Sequence, residues 1–438
     1  MQKDITLRVS DNLTIVDYTG TYTRKDLARA VSYWKNKIEQ IADPRPIAIC
    51  FGAGSTSFQT VAVLLALIDS GRNYYKFDQL APDATKETIK YPNFEGGVSA
   101  TFIVGTVKTD FDYSNDPDVI EAELDKHRDL ILEHHNYHPL EITFRMSQKR
   151  YNNTSGTSTG FPKLIEALVG SDGYSIKTAM DQYINDDDRC VFMHSMSHIG
   201  VHTTAILPSI FKASKVTFVY DKLSWNNAVA ESTHLQYFYT MLDNTILPDN
   251  HTIKTVSTGG DFLSPKLVEE LVMVKGVKTI YDIYGLTEAA PPLAIREVTC
   301  IEDLNKPFNW VNQAYSCYLD DRGTAIIIRP DGVHWKSNDL ARYNDETKEF
   351  FYLGRYGTNL RIRINRLLFS ISEFRQIFES ETNIVNYFLD TTVGEIPKLM
   401  VLEFDYDKAL KFITSREATV ELVKVKGFLT NGGIKNTR

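Results

Sequence analysis

Cysteine is scarce in this sequence: Cys50, Cys190, Cys300 and Cys317 are the only four in 438 residues, and no two form a CxxC pair. Neither a disulfide framework nor a zinc knot is suggested, and a reducing compartment fits. Long apolar runs are also missing. The longest, Val61 to Ile68, falls far short of the ~20 residues that a bilayer-spanning helix needs. The stretch from Met1 to Asp11 carries charges and no apolar core of signal-peptide length, so a soluble, cytoplasmic protein without a membrane partner is expected. Basic excess is absent too. Lys and Arg number 48 against 56 Asp and Glu, a net charge of −8, and the cations are scattered, which leaves nucleic acid without an electrostatic footprint. There is no internal repeat, no low-complexity tract and no GxxxxGK[ST] phosphate loop.

What is present is ordinary globular composition, 43% hydrophobic and 24% charged, on a chain long enough for more than one core. Short β-rich runs alternate with helical patterns. Strands are expected at Pro46 to Phe51, Leu140 to Met146, Arg189 to Met193, Lys215 to Tyr220, Thr252 to Ser257 and Lys278 to Tyr281. Helices are expected at Gln59 to Ser70, Tyr174 to Tyr183, Gly200 to Phe211 and Pro265 to Val274. The fold class is therefore α/β, with mostly parallel sheet in a large N-terminal domain. From about Tyr315 the texture becomes hairpin-like, with turns at Asp320 to Gly323 and Pro330 to Gly332, so a β-rich subdomain is expected there. A boundary near Gly354 divides an N-terminal domain, 1–353, from a small α+β C-terminal domain, 354–438, with a helix over Ser372 to Glu381, a strand over Lys398 to Phe404 and a helix after Lys408.

Two motifs carry chemistry on their own residues. Thr154-Ser155-Gly156-Thr157-Ser158-Thr159-Gly160-Phe161-Pro162-Lys163 is a hydroxyl- and glycine-rich loop closed by a lysine, following the strand expected at Leu140 to Met146. Small residues let backbone N–H groups approach phosphate oxygens, Thr154, Ser155, Thr157 and Thr159 add hydroxyls, Gly156 adds room, and Lys163 adds compensating charge. The second motif is Asp282-Ile283-Tyr284-Gly285-Leu286-Thr287-Glu288. Here Tyr284 offers a stacking face, Asp282 an acceptor for an adenine amino group, Thr287 a hydroxyl for phosphate, and Glu288 a hard oxygen ligand for Mg2+.

Together these resemble the adenylate-forming superfamily of acyl- and aryl-CoA synthetases, peptide-synthetase adenylation domains and firefly luciferase, whose signatures read TSGTTGxPK and [ND]xYGxTE. The loop here has one residue more. The resemblance runs from about Thr21 to Arg438, and further motifs follow in the family's order. His198 stands where the family places a His or aromatic residue beside the carboxylate substrate. Thr258-Gly259-Gly260-Asp261-Phe262 resembles the glycine pair on which adenine lies. Asp339 holds the position of the aspartate that accepts both ribose hydroxyls, and Gly354-Arg355 matches the pair opening the hinge, with Arg355 directed at ribose or phosphate. Lys435, in a terminal stretch similar to TxxGKxxR, stands for the lysine that enters the site for adenylation. The resemblance implies ATP and Mg2+, a small carboxylic acid, and an acceptor that is CoA, a carrier protein or an amine. Lys435, Thr287 and Glu288 are the catalytic candidates it implies.

The chain also departs from the pattern. Gly357 replaces the hinge aspartate, and Ile364 replaces the glycine of the loop that lines the thiol tunnel in thioester-forming relatives. Three other clusters imitate sites. His134, His135 and His138 lack the intervening glutamate of HExxH, Asp110 to Glu121 lacks the glycine of a Ca2+ loop, and Asp186-Asp187-Asp188 reads as a hydrophilic turn before a strand.

Overall fold

The computed structural model describes residues 2–52, 56–78, 98–104, 119–121, 127, 130–131, 133, 140–153, 164–193, 199–219, 222–236, 247–260, 263, 265–355, 362–364, 367–369, 371–384, 387–390, 398–416, 418, 420–425, 430–431 and 435–436. The loop Thr154 to Lys163, His198, Asp261, Gly357 and the clusters at 110–118 and 134–138 lie outside the described residues.

A six-stranded sheet is centred on β4 (Ile47–Phe51), which runs parallel to β5 (Tyr74–Asp78) on one side and β6 (Ala100–Val104) on the other. Every residue of β4 is buried, because a parallel sheet covered on both faces has no solvent side for alternation to mark. Beyond β6 lies β7 (Val119–Glu121); beyond β5 lie β9 (Lys149–Asn153), parallel, and β10 (Leu164–Leu168), antiparallel to β9. Helices α1 (Arg24–Glu39) and α2 (Phe58–Ser70) pack against each other. A capping box closes the start of α1: Asp26 N–H donates to the Thr23 hydroxyl, and Thr23 N–H to the Asp26 carboxylate.

A thirteen-stranded sheet forms the backbone of the large domain. Its parallel part joins β2 (Thr14–Asp17), β12 (Lys215–Phe218), β11 (Arg189–Phe192), β13 (His234–Gln236), β14 (Thr255–Gly259) and β15 (Thr279–Tyr284). From β15 onward every pairing is antiparallel: β16 (Ala294–Val298), β17 (Phe308–Trp310), β21 (Glu349–Arg355), β20 (His334–Asn344), β19 (Thr324–Ile328) and β18 (Ser316–Leu319). β3 (Gly20–Thr23) closes the opposite edge as a hairpin with β2. The two turns expected at Asp320 to Gly323 and Pro330 to Gly332 join β18 to β19 and β19 to β20.

Helix α3 (Val169–Gln182) lies between the two sheets' cores, beside a segment that winds as α4 (Ile199–Val201), a π-turn (His202–Ile206) and α5 (Leu207–Lys212). The other face of the parallel strands is covered by α6 (Lys222–Val229) and α7 (Pro265–Val268), the latter continued by a second π-turn (Glu269–Val274). The strand expected at Leu140 to Met146 is β8 (Glu141–Phe144). It does not lead directly into the phosphate-loop segment but pairs with β1 (Ile5–Arg8), and β9 intervenes. Asp188 ends its turn as expected, accepting from Asn185 N–H and from the Thr233 hydroxyl.

The C-terminal part has its own small core. Phe374 and Phe378 of α8 (Ile371–Thr382) and Phe412 of α9 (Tyr406–Ser415) meet Leu399 and Val401 of a three-stranded sheet, β24 (Tyr387–Asp390), β25 (Lys398–Leu402) and β26 (Glu421–Val425). Two short hairpins flank it, β22 (Ile362–Ile364) with β23 (Leu367–Phe369), and β27 (Thr430–Asn431) with β28 (Lys435–Asn436). Among the described residues no helix is long and apolar enough to cross a membrane.

Candidate active site

The residues assigned to nucleotide gather where the thirteen-stranded sheet changes from parallel to antiparallel, at the carboxyl ends of β14 and β15. Crevices outside the carboxyl ends of parallel strands are the usual ligand sites of α/β sheets. β14 and β15 place Thr258 beside Asp282 and Gly259 beside Ile283. A Cβ on Gly259 would sit 2.6 Å from the Ile283 carbonyl oxygen, so only glycine fits, and the next residue, Gly260, has φ +94°. The glycine pair is therefore demanded first by the close strand and the turn that follows it.

Tyr284 ends β15 and is buried. Its hydroxyl donates to Asp339 Oδ2 at 2.8 Å, and its ring lies 4.5 Å from that of Phe350 and 5.7 Å from that of Tyr352. Burial pushes its phenol well above the ordinary range, and the Asp339 charge adds to this. Asp339 is 2% exposed; its N–H donates to Ser337 Oγ at 3.0 Å, and it stands opposite Arg355 in the β20–β21 register. Two motifs 55 residues apart in sequence are thereby joined by one hydrogen bond. Asp282 meets a partner that sequence reasoning did not foresee. Arg296, opposite it on β16, forms an ion pair to Oδ2 at 2.5 Å while its guanidinium lies 4.4 Å over the Phe308 ring. Burial raises the Asp282 carboxyl, against the opposing pull of Arg296. One of the oxygens expected to face adenine is thus committed to an arginine.

Thr287 and Glu288 follow on a single 3-10 turn, Thr287–Ala289, both half-buried. Residues beyond the turn are held at three carbonyls. The Ser175 hydroxyl of α3 donates to the Ala290 carbonyl, and the Thr203 hydroxyl of the π-turn donates to the Pro291 carbonyl at 2.5 Å. The Asn312 amide donates to the Pro292 carbonyl and to Ser175 Oγ, each at 2.9 Å. None of Ser175, Thr203 and Asn312 belongs to a recognisable motif; their role is visible only once α3, the π-turn and β17 converge. The donor set suits a hard divalent cation, since Glu288 and Thr287 offer oxygens from a turn that is fixed in place.

The phosphate-loop segment connects β9 to β10, whose ends are paired at Asn153 and Leu164. β9 and its neighbours carry a buried charge network. Arg150 grips Asp172 of α3 with Nε at 2.7 Å and Nη2 at 3.0 Å, and also donates to the Asn152 side chain. On the neighbouring strand Lys76 Nζ lies 2.9 Å from His202 Nδ1, both fully buried. Burial, and then the nearby Arg150 charge, hold Lys76 well below the ordinary lysine range. His202 is likewise pushed well down, by burial first and by Lys76 next. At the other end of the chain, β28 places Lys435 opposite Asn431 in a short hairpin rather than on an irregular tail.

Residues 151–315 match the sequence model of a family described as AMP-binding enzyme. Among curated proteins none matches the chain. Solved structures do. The O-succinylbenzoate CoA synthetase MenE of Bacillus subtilis, determined with AMP, shares 14% identity at a TM-score of 0.71 over 98% of this chain and 95% of its own. A benzoate CoA ligase from Burkholderia xenovorans LB400 shares 13% at 0.72, over 97% and 96%. PA1221, an NRPS protein with adenylation and PCP domains, shares 17% at 0.61, over 98% and 80%. The chain thus has the fold of the adenylate-forming enzymes. Within that class, the segment from β9 to the end of the Asn312 brace is what carries the AMP-binding match.

Proposed function

We propose that the protein activates a carboxylic acid as its acyl-AMP, releasing pyrophosphate, and then passes the acyl group to a thiol, as acyl- and aryl-CoA ligases do. The observation that carries this reading is the assembly at the end of β15: Tyr284 bonded to Asp339, with Thr287 and Glu288 on a turn held by α3, the π-turn and Asn312. In the first step the acid's carboxylate attacks the α-phosphorus of ATP in line with departing pyrophosphate, with no covalent enzyme intermediate. The protein's work is positioning and charge neutralisation. Asp339 accepts from the ribose hydroxyls, Gly259 and Gly260 with Asp261 border the base, and Asp282 and Tyr284 complete that side. The loop Thr154 to Lys163 holds the β- and γ-phosphates, with Arg355 on the ribose or phosphate and His198 beside the acid. Lys435 neutralises charge growing on the α-phosphate. Mg2+ held by Glu288 supplies Lewis-acid neutralisation of the phosphates.

We place the division between the two domains after residue 353, with 354–438 moving between the two half-reactions. One observation favours a second acceptor. Ile364, where thioester-forming relatives have glycine, is the last residue of strand β22, opposite Leu367, which supports an acceptor other than CoA. A product assay with CoA and free amines separates the two. The test of the activation step is Glu288→Ala, expected to reduce Mg2+-dependent pyrophosphate release by 10² or more, the scale for loss of one electrostatic contact in a transition state. A folded variant with parental activity would remove Glu288 from the reaction.

A further inference from the structure

Gln236 is the last residue of β13, beside Ser257 of β14 in register, at the same carboxyl edge of the sheet as Gly259. It is 5% exposed. Its Nε2 donates to Thr204 Oγ1 of the π-turn at 2.5 Å, and the Thr204 hydroxyl itself donates to the Gly200 carbonyl. That chain of bonds fixes the amide's orientation: Thr204 Oγ1 has spent its hydrogen and can only accept, so Gln236 must turn its NH2 toward it. Oε1 then points away, buried and with no hydrogen-bond partner among the described residues. Buried amide carbonyls are rarely left so, because each forfeits the hydrogen bonds it had in water.

The polar side chains on the neighbouring elements are engaged with other groups. His234 uses one ring nitrogen on Thr255 Oγ1 at 2.7 Å and the other on Ser257 Oγ at 3.0 Å. Thr203 donates to the Ile199 and Pro291 carbonyls, and the Tyr183 hydroxyl donates to the Thr204 carbonyl at 2.6 Å. The π-turn that holds the Gln236 amide is also the one that braces Pro291 behind the Thr287–Glu288 turn, so this acceptor and the reaction site share one support.

We propose that Gln236 is a specificity-determining residue whose Oε1 accepts a hydrogen bond from an O–H or N–H group carried on the body of the acid, so that the substrates are hydroxy- or amino-substituted acids in preference to their unsubstituted parents. This rests on the adenylation reading above. A site with a buried acceptor discriminates against a ligand that leaves it unpaired more strongly than an apolar pocket discriminates between sizes.

The test is ATP–pyrophosphate exchange with matched acids: benzoate against its ring-hydroxy and ring-amino derivatives, and butanoate against its hydroxy and amino derivatives. The expected result is a preference of about tenfold or more in kcat/KM for a donor at one position, falling to within about twofold in Gln236→Leu and surviving in Gln236→Glu, which keeps an acceptor oxygen. The preference is a ratio within one preparation, so a partly folded variant lowers both rates and leaves it readable. A wild-type enzyme that favours the unsubstituted acids, or a Gln236→Leu enzyme that keeps the donor preference, would overturn the assignment. Absence of exchange with every acid would instead overturn the adenylation reading, and this inference with it.

Discussion

Asp172 and Asp339 are both buried carboxylates of the large domain, yet one is gripped by two nitrogens of Arg150 and the other is met by the neutral hydroxyl of Tyr284. The first arrangement cancels charge against charge inside the protein and ties α3 to the strand that leads into the phosphate-loop segment. The second supplies a hydrogen bond without supplying a counter-charge from that side. On the proposed reading it is Asp339, of the two, that meets a ligand's hydroxyls. Asp282, ion-paired to Arg296, belongs with the first kind although its motif suggests the second.

Neutralising Asp172 should have the largest effect. Asp172→Asn leaves Arg150 buried without its counter-ion and is expected to lower global stability by about 3–5 kcal/mol, read from the urea midpoint at constant m. A loss below ~1 kcal/mol would mean that Arg150 finds another partner. Asp339→Ala is expected to act on the ligand: ATP affinity should fall by about 1.5–3 kcal/mol, the scale of hydrogen bonds to a charged group. Calorimetric titration with ATP and with 2′,3′-dideoxy-ATP sharpens this, since the mutant should bind both alike while the parent prefers ATP. The smallest effect concerns Lys76. Its folded pKa lies below its unfolded value near 10.5, so through the window between them the unfolded chain holds more protons and stability rises with pH, at up to about 1.4 kcal/mol per unit. Lys76→Met should flatten the slope of unfolding free energy in the alkaline range just below 10.5, where His202, also pushed down, stays neutral in both states. An unchanged slope would show Lys76 to be charged in the fold.

Much of the parallel sheet is legible in the sequence because local pattern and burial agree there. Ile47–Phe51, Arg189–Phe192 and Lys215–Phe218 stand where short apolar runs place strands, and the motif strand runs on through Tyr284. The antiparallel turns are legible from their Asp and Gly residues. Helix α1 carries a readable signal, Thr23 and Asp26 three apart, but lies outside the elements inferred from sequence. The helices expected at Gly200 to Phe211 and Pro265 to Val274 are interrupted by π-turns, which share the helical apolar pattern and differ only in how the backbone is wound. The buried polar contacts were invisible for another reason. Lys76 belongs to no element or motif inferred from sequence, and its partner His202 is 126 residues away. Arg296 and Gln236 likewise belong to no motif; only strand register and the approach of the π-turn give them partners.

The pairing of β2 with β12, Thr14 beside Lys215, has a consequence for how the chain is made. β2 leaves the ribosome long before its neighbour exists, and at a synthesis rate of about 5–20 residues per second it waits roughly 10–40 s for β12. β1 waits too, for β8, with Ile5 beside Phe144. Through that interval the hairpin of β2 and β3 has one unpaired edge and an apolar face, while β4, α2 and β5 follow one another in quick succession and can settle first. A nascent chain stalled before residue 215 should therefore hold the six-stranded sheet's early core but leave the outer edge of the β2–β3 hairpin open to chaperones, and recruitment there should end abruptly once β12 emerges.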